Sequence, residues 1–371
     1  MNALVRAIRL ASASALALVL ALVLCVPGGV AVAGDLSGPR RIAVEPFITL
    51  PADVRHPEGL ASNPANGDLF VGTFDAREPA TSRNNQVLRY SASGKLLARY
   101  PFGAAPLTGI AYADGKLYIL NFGASKLQRM DAGFSSRSEI EDVAVFGKLD
   151  PPAVQPRTVD NPDGSTDRVS YGSSGFPAPN GMVFDAAGNL YVSDSFQGAV
   201  YRIDRVATCR PCSVVTVSRD PLLATAGHLP FGANGLAFGT DPDVLFINNA
   251  GDGRVLKLVL SSGRVTVLTE SIPGADGLMF HDGLLWVAAN QADAIYGIDE
   301  RGLIQVRAGE FVGINADGTP RGLLFPAGTA VSGKWMVVAN LALPLTPVDG
   351  DEWEERVTRW NLVRFRLPSA R

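Results

Sequence analysis

Short runs of alternating apolar and polar residues, separated by turns rich in Asp, Gly and Asn, recur along this chain of 371 residues. Each unit is an apolar run, a turn, and a second alternating run such as Leu190-Tyr191-Val192, a pattern typical of a β-hairpin. Six units share one glycine at the same place. These glycines are Gly59, Gly109, Gly181, Gly235, Gly277 and Gly328, at spacings of 50, 72, 54, 42 and 51 residues.

Further strand-like segments, such as GAVYRIDRV and CSVVTVSRD, follow the hairpins. Four strands that repeat at about the spacing of these glycines are typical of a propeller blade. We therefore predict an all-β fold: a six-bladed β-propeller with four-stranded antiparallel blades around a central channel. The length also permits two unrelated β-domains, but these would not explain six equivalent glycines.

The ends of the chain are predicted to close the ring. The segment RRIAVEPFITL at 40–50 can supply an outer strand to the blade formed by WNLVRFRLP near the C-terminus. Residues 34–371 then form one propeller domain. The long 72-residue spacing predicts an insert at about 131–178, which is polar and rich in proline. This insert is either a surface loop or a lid over the end of the channel.

The first 33 residues are typical of a secretory signal peptide. Arg6 and Arg9 precede the uncharged run Leu10–Val26, and Ala31-Val32-Ala33 offers a cleavage site. We predict a secreted or periplasmic protein. An uncleaved membrane anchor is the alternative, because the run is about as long as the shortest bilayer spans. The net charge of -3 gives no basic field for nucleic acid, so no nucleic-acid partner is expected.

Two cysteines follow the predicted signal peptide, in Cys209-Arg210-Pro211-Cys212. In an oxidising compartment this pair favours a tight local disulfide, although a reduced pair on a loop, metal binding or redox chemistry are alternatives. A thioredoxin-like site would need a helix after the motif, and both flanks here are strand-like.

The residue before each repeated glycine is the main candidate for chemistry. A propeller brings equivalent positions to the same end of its channel, so four oxygen donors should converge there. Two carboxylates and two carboxamides suit a hard cation, Ca²⁺ first, with Mg²⁺ or Mn²⁺ as lesser candidates. The alternative is that these are turn residues, because Asn-Gly and Asp-Gly are ordinary turn pairs. The six positions are Glu58, Thr108, Asn180, Asn234, Asp276 and Ala327.

These motifs resemble the senescence-marker-protein/gluconolactonase (regucalcin-like) family, related to paraoxonase-type lactonases, over roughly residues 45–365. HPEGL, PNGMVF, GANGLAF and GADGLMF match in order and approximate spacing. The resemblance implies that Glu58, Asn180, Asn234 and Asp276 bind a central Ca²⁺. Position 108 departs from the family, because Thr108 stands where some members have an Asn or a substrate-handling His.

The resemblance also implies hydrolysis of a small-molecule lactone or ester, with Ca²⁺ as Lewis acid. Asp276 is the expected base or nucleophile, and Glu58 is the alternative. Other residues near this end of the channel are candidates for substrate contact, and the two histidines among them could also shuttle protons or pack loops. These candidates are Thr108, His56, His228 and Asn121.

Two other function classes remain open. A non-catalytic propeller could bind a partner and use Ca²⁺ only to stabilise its hub, and a lyase or synthase could use the same fold. A monomer is expected in each case.

Overall fold

The described part of the chain contains twenty-nine short strands and no α-helix, as its alternation of apolar and polar residues predicts. The structure is a computed structural model that describes residues 38–150, 157–160, 162–169, 176–225, 229–346, 350 and 352–368. The predicted signal peptide at 1–33 lies outside these residues. Contacts group Pro39–Arg371 as one compact unit.

Six sheets, each with four antiparallel strands, form the blades and contain most of the strands; one of them gains a fifth, parallel strand. Two short strands come first: β1 (Arg40–Ile42) and β2 (Glu45–Thr49). Blade one comprises β3 (Pro57–Ser62), β4 (Leu69–Thr73), β5 (Asn85–Tyr90) and β6 (Leu96–Gly103). Blade two comprises β7 (Leu107–Ala113), β8 (Lys116–Asn121), β9 (Lys126–Asp131) and β10 (Glu141–Val145). A separate hairpin, β11 (Arg157–Asp160) and β12 (Thr166–Val169), follows.

The remaining blades follow the same plan. Blade three comprises β13 (Pro179–Phe184), β14 (Leu190–Asp194), β15 (Ala199–Ile203) and β16 (Val215–Ser218). Blade four comprises β17 (Ala233–Phe238), β18 (Val244–Asn249), β19 (Arg254–Val259) and β20 (Arg264–Glu270). Blade five comprises β21 (Ala275–His281), β22 (Leu284–Ala289), β23 (Ala294–Ile298) and β24 (Ile304–Ala308). A hairpin of β25 (Phe311–Ile314) and β26 (Pro320–Gly322) precedes blade six.

Blade six uses both ends of the described chain. It comprises β27 (Pro326–Ser332), β28 (Trp335–Asn340), β29 (Asn361–Arg366) and the early strand β2 as its outer strand. The innermost strands β3, β7, β13, β17, β21 and β27 each contact the next, and β27 contacts β3. The prediction of a six-bladed propeller is therefore confirmed. Four single-turn 3₁₀ helices lie between strands: Phe122–Ala124, Pro221–Leu223, Asn290–Ala292 and Trp353–Arg356.

Ring closure follows the sequence prediction and adds one feature to it. β2 pairs antiparallel with β29, and the Arg364 guanidinium donates to Glu45 Oε1 at 2.8 Å across this pair. The unexpected feature is β1, which pairs in parallel with β24 and becomes a fifth strand of blade five. The early segment therefore joins two neighbouring blades.

The six repeated glycines lie where neighbouring inner strands approach most closely. A Cβ atom at Gly59 would stand 2.1 Å from the Thr108 carbonyl oxygen, and one at Gly328 would stand 2.3 Å from that of Glu58. The other four glycines face the next inner strand in the same way. All six lie inside strands, so the Asn-Gly and Asp-Gly pairs are not hairpin turns. Close backbone approach explains the glycine repeat.

The apolar core fills the spaces between neighbouring blades. Tyr118 of blade two and Tyr201 of blade three share one buried cluster, and Trp286 of blade five packs with Phe365 of blade six in another. Burying each such side chain contributes about 2 kcal/mol or more before entropic costs. These layers hold the inner strands, and therefore the channel, in fixed positions.

The predicted insert at 131–178 begins too early. Strand β10 lies within it and completes blade two by pairing with β9. Val143 and Ala144 are buried between blades, and the Cys212 amide donates to the Val143 carbonyl. Acidic residues around these apolar positions hid the strand in the sequence. Residues 151–156, 161 and 170–175 of the insert lie outside the described residues.

Candidate metal and substrate site

A β-bulge in every inner strand turns the residue before the repeated glycine toward the channel. In blade one, Pro57 pairs with Thr73 and Leu60 with Val71, so the inner strand has one extra residue at Glu58-Gly59. The same shift occurs at the equivalent point in the other five blades. Bulges of this kind re-aim side chains and are common beside functional sites.

Five of the six positions line both cavities in the channel; we call these five residues the polar ring. All five are at most 8% exposed. The cavities measure about 390 Å³ and about 30 Å³ and meet at this ring. The four predicted metal ligands are therefore brought together. The ring consists of Glu58, Thr108, Asn180, Asn234 and Asp276.

The two carboxyl groups of the ring are buried, and no cationic side chain of the described residues lines the cavities around them. Burial, and then the charge of Asp276, raises the pKa of Glu58 well above its usual value. Burial also raises the pKa of Asp276 to about 7, while hydrogen bonds with Asn290 and Asn234 act in the opposite direction. Glu58 Oε2 has no hydrogen-bond partner among the described residues. Among the described residues, no Lys, Arg or His lines either cavity.

This donor set fits a hard cation. A divalent ion would pair both carboxylates and give Glu58 Oε2 the partner it lacks. The described residues contain no group of three His, Cys, Asp or Glu side chains that could hold a metal, so a metal here would also depend on the carboxamides. Such a set favours Ca²⁺ or Mg²⁺ over zinc.

Asn290 adds a further carboxamide beside the ring. Its Nδ2 donates to Asp276 Oδ2 at 3.4 Å, and its buried Oδ1 has no partner. Strand β22 ends at Ala289, so Asn290 lies one position beyond the residues that end the equivalent strands. Asn248 supports the same region by donating to the Asp276 carbonyl oxygen at 2.8 Å.

Thr108 lies in the ring, but its hydroxyl already has a structural partner. The hydroxyl donates to the Pro179 carbonyl at 2.7 Å and so links blades two and three. Its oxygen keeps acceptor capacity toward the channel. Substrate contact by Thr108 stays a prediction.

Of the other predicted substrate residues, His56 and Asn121 do not line the channel cavities. His56 Nδ1 lies 3.0 Å from the Leu341 carbonyl, and its ring packs edge-on against Trp360. Burial lowers the pKa of His56 to about 4, so this histidine is neutral at pH 7. Asn121 accepts from the Ala124 amide and donates to Gln128, as a cap of the following turn. His228 lies outside the described residues.

Polar residues that end the second strands of other blades are likewise occupied. Asp194 accepts from three backbone amides, from the Gln197 side chain and from the Tyr201 hydroxyl. Asn249 and Asn340 each donate to two neighbouring acceptors. These residues fix loops beside the channel.

A disulfide joins Cys209 to Cys212. It closes a small loop whose backbone reaches blade two through the Cys212 amide, while the Arg129 side chain of blade two donates to Ala207 at 3.2 Å. The bond lies on the outer side of the blades, in the core cluster between blades two and three.

Comparisons with known proteins support the fold assignment. No protein-family model and no curated protein sequence matches this chain. A luciferin-regenerating enzyme matches with a TM-score of 0.58 at 16% identity, covering 88% of this chain and 96% of the other. A calcium-binding regucalcin from Agrobacterium tumefaciens also gives 0.58, at 14% identity, covering 89% and 95%. A gluconolactonase from Xanthomonas campestris gives 0.52 at 15% identity, covering 86% and 89%.

The structural neighbours thus include the regucalcin and gluconolactonase kinds that the sequence motifs predicted. At this level of identity, the likeness establishes a shared six-bladed propeller fold. Any proposal about activity must therefore be argued from the side chains at the bulged positions of this chain.

Proposed function

We propose that this protein is a Ca²⁺-dependent hydrolase of lactones or related esters. The observation that supports this proposal is the pair of buried carboxyl groups, Glu58 and Asp276, that face one channel with no cationic side chain among its described lining. Asn180 and Asn234 complete the donor set. The regucalcin and gluconolactonase neighbours share the propeller on which this site is built.

Glu58, Asn180, Asn234 and Asp276 would hold the cation, with Asn290 beside Asp276. When bound, Ca²⁺ supplies Lewis-acid stabilisation for negative charge on a carbonyl oxygen. The carboxamides contribute neutral oxygen donors, so the two carboxylates match the charge of the ion.

Asp276 is the proposed base. Its carboxylate takes a proton from water as the water oxygen bonds to the carbonyl carbon; the ring C–O bond then breaks, and the leaving oxygen receives the proton. The product is a hydroxy acid. Asn290 orients the Asp276 carboxylate through its Nδ2 donor. Glu58 is the alternative base, since it shares the same channel.

A hydrolysis assay with lactones and aryl esters tests this proposal. We expect turnover with Ca²⁺, loss of turnover with a chelator, and recovery when Ca²⁺ is restored. Leu303→Asn, in the exposed turn between β23 and β24 of blade five, serves as the control variant. Turnover that persists in chelator and in Asp276→Ala would refute the metal-dependent mechanism.

A non-catalytic binding protein with structural Ca²⁺ is the second candidate. The packed ring of His56 and the Thr108 hydroxyl, whose proton is donated to Pro179, favour it, because neither group is placed to transfer a proton to or from a substrate. In that case chelation would lower Tm sharply while no lactone or ester is turned over.

Export and a monomeric state are also part of the proposal. Residues 1–33 would be removed after Ala33, which mass spectrometry of the protein from culture medium or periplasm would detect as a mature N-terminus at Gly34. Among the described residues, no helix is long and apolar enough to cross a membrane.

A further inference from the structure

The smaller channel cavity is lined by polar residues on one part of its surface and by large apolar side chains on the rest. Beyond the polar ring and Asn290, every described residue that lines it is apolar. Most are Phe or Leu, and we call these the apolar wall: Phe74, Leu229, Phe231, Phe325, Leu341, Leu343 and Leu345.

The apolar wall is continuous with a larger aromatic layer. Phe74 packs edge-on against Phe122 with ring centroids 5.2 Å apart, and Phe122 lies 5.7 Å from Phe196. Phe196 in turn lies 5.1 Å from Phe231 of the wall. Loops of blades one, two and three therefore hold the wall in position.

This wall lies on the side of the ring where the chemistry is best supported. Asn290, the additional carboxamide beside Asp276, lines this cavity and is absent from the lining of the larger one. A carbonyl group at the ring would therefore have its substituents against Phe and Leu side chains.

From this arrangement we propose that the substrate is an alkyl- or aryl-substituted lactone or ester, and not a polyhydroxylated sugar lactone. The proposal rests on the hydrolase function proposed above and specifies its substrate class. A sugar lactone would place several hydroxyl groups against the wall, and each buried hydroxyl without a partner costs about tenfold or more in affinity. An alkyl chain gains from the same contact.

The cavity also sets the size of the favoured substituent. Its volume is about 30 Å³, so only a few atoms fit inside it. A longer chain would lie over Phe231, Leu343 and Leu345, which are half-buried at its edge. We expect a clear gain over the first few methylenes, at about fourfold for each one buried.

Rates and binding are measured on the full chain with Ca²⁺. The rate series compares kcat/KM for γ-valerolactone, γ-hexalactone, γ-heptalactone and γ-octalactone with that for glucono-δ-lactone. The binding series uses 5-methyl- and 5-butyl-2-pyrrolidinone, lactams that resist hydrolysis, in calorimetric titrations. We expect kcat/KM and affinity to rise with chain length, with glucono-δ-lactone below γ-octalactone.

A matched pair of variants assigns the effect to the wall. Leu343→Asn should lower kcat/KM for γ-octalactone about tenfold and for γ-valerolactone less than threefold. Leu303→Asn, which changes a leucine that is 55% exposed and lines neither channel cavity, should leave both within twofold.

The outcomes separate this inference from the proposed activity. Chain-length-dependent lactam binding without turnover of any lactone would support an apolar ligand and refute the hydrolase. Turnover that is flat across the series, or fastest with glucono-δ-lactone, would overturn the inference and leave the hydrolase intact. Absence of both turnover and lactam binding would overturn both.

Discussion

Two sets of buried polar residues lie close together in this propeller and differ in how their hydrogen bonds are satisfied. Asp194, which ends a second strand, is fully buried and accepts five hydrogen bonds. Glu58, in the polar ring, is also buried, yet its Oε2 has no partner and its pKa is raised. Burial alone does not distinguish structure from function here. Unmet hydrogen-bonding capacity combined with a place in the cavity lining does.

Asn290 sharpens this contrast, because it shares features of both sets. It lies one position beyond the end of a second strand, next to the position of the capping residues, but its amide reaches Asp276 and its Oδ1 has no partner among the described residues. A shift of one position along the chain moves a carboxamide from loop support to the candidate site.

The largest expected effect is on activity, from Asp276→Asn. If Asp276 is the base, kcat should fall about 10³-fold, and Ca²⁺ affinity should fall with it. The metal-free variant should be at least as stable as the metal-free parent at pH 8, because one of two neighbouring buried charges is gone. Kinetics, calcium titration and thermal melts measure these effects. A large loss of metal-free stability would show that Asp276 is a structural residue like Asp194.

Asp194→Ala should have the opposite profile. Removing this carboxylate leaves buried donors from the backbone, Gln197 and Tyr201 unpaired, so the unfolding free energy should fall by about 3–5 kcal/mol. Ca²⁺ affinity of the folded protein should change less than threefold. Denaturant unfolding and calcium titration below Tm provide the comparison. Weak Ca²⁺ binding with normal stability would contradict the division between the two sets.

The pH dependence of metal-free stability should reveal the ring. The pKa of Asp276 is about 7 when folded and about 4 when unfolded, so between these pH values the folded state binds more protons. Asp276 by itself therefore lowers stability by a few kcal/mol as pH rises from 4 to 7. Buried His56, whose pKa is lowered to about 4, acts in the opposite direction, so the prediction concerns the difference in stability between the parent and Asp276→Asn. Saturating Ca²⁺ should remove most of this fall. Chemical unfolding of the parent and of Asp276→Asn at several pH values, with and without Ca²⁺, measures it; a metal-free stability difference between the two that does not change with pH would exclude the raised pKa.

Asn290→Ala should have the smallest effect on Ca²⁺ affinity and activity. It tests whether Asn290 belongs with the polar ring or with the capping residues. We expect Ca²⁺ affinity or kcat/KM to fall about fivefold to tenfold, with little change in Tm. Asn340→Ala is the matched control, since Asn340 accepts from Leu324 and donates to Gly322 and Asn361. It should lose about 1–3 kcal/mol of stability and keep its Ca²⁺ affinity. Identical profiles for the two variants would remove Asn290 from the site.

Much of the fold could be predicted from sequence because one steric requirement repeats. Gly59 and its five equivalents meet the backbone of the next inner strand, so each blade needs a glycine at that point. Closure by β2 was also predictable from its apolar alternation. The parallel pairing of β1 with β24 was not, because three residues carry too little pattern to identify a partner.

The site was only partly predictable for a related reason. The four candidate ligands precede repeated glycines, so a periodic signal marks them. Asn290 is marked only by where β22 ends, and the partners of Thr108 and His56 come from distant residues, Pro179 and Leu341. Hydrogen bonds between distant segments leave no local pattern in the sequence.

The pairing of β2 with β29 has a consequence for how the protein is made. Glu45 and Arg364 are 319 positions apart, so the sixth blade cannot assemble until nearly all of the described chain has been synthesised. Until then β2 has an unpaired edge and the channel remains open on one side. Completion of the ring, and with it the site, is therefore a late event in biogenesis, and loss of Asn361–Arg366 from the nascent chain would leave five blades that cannot close.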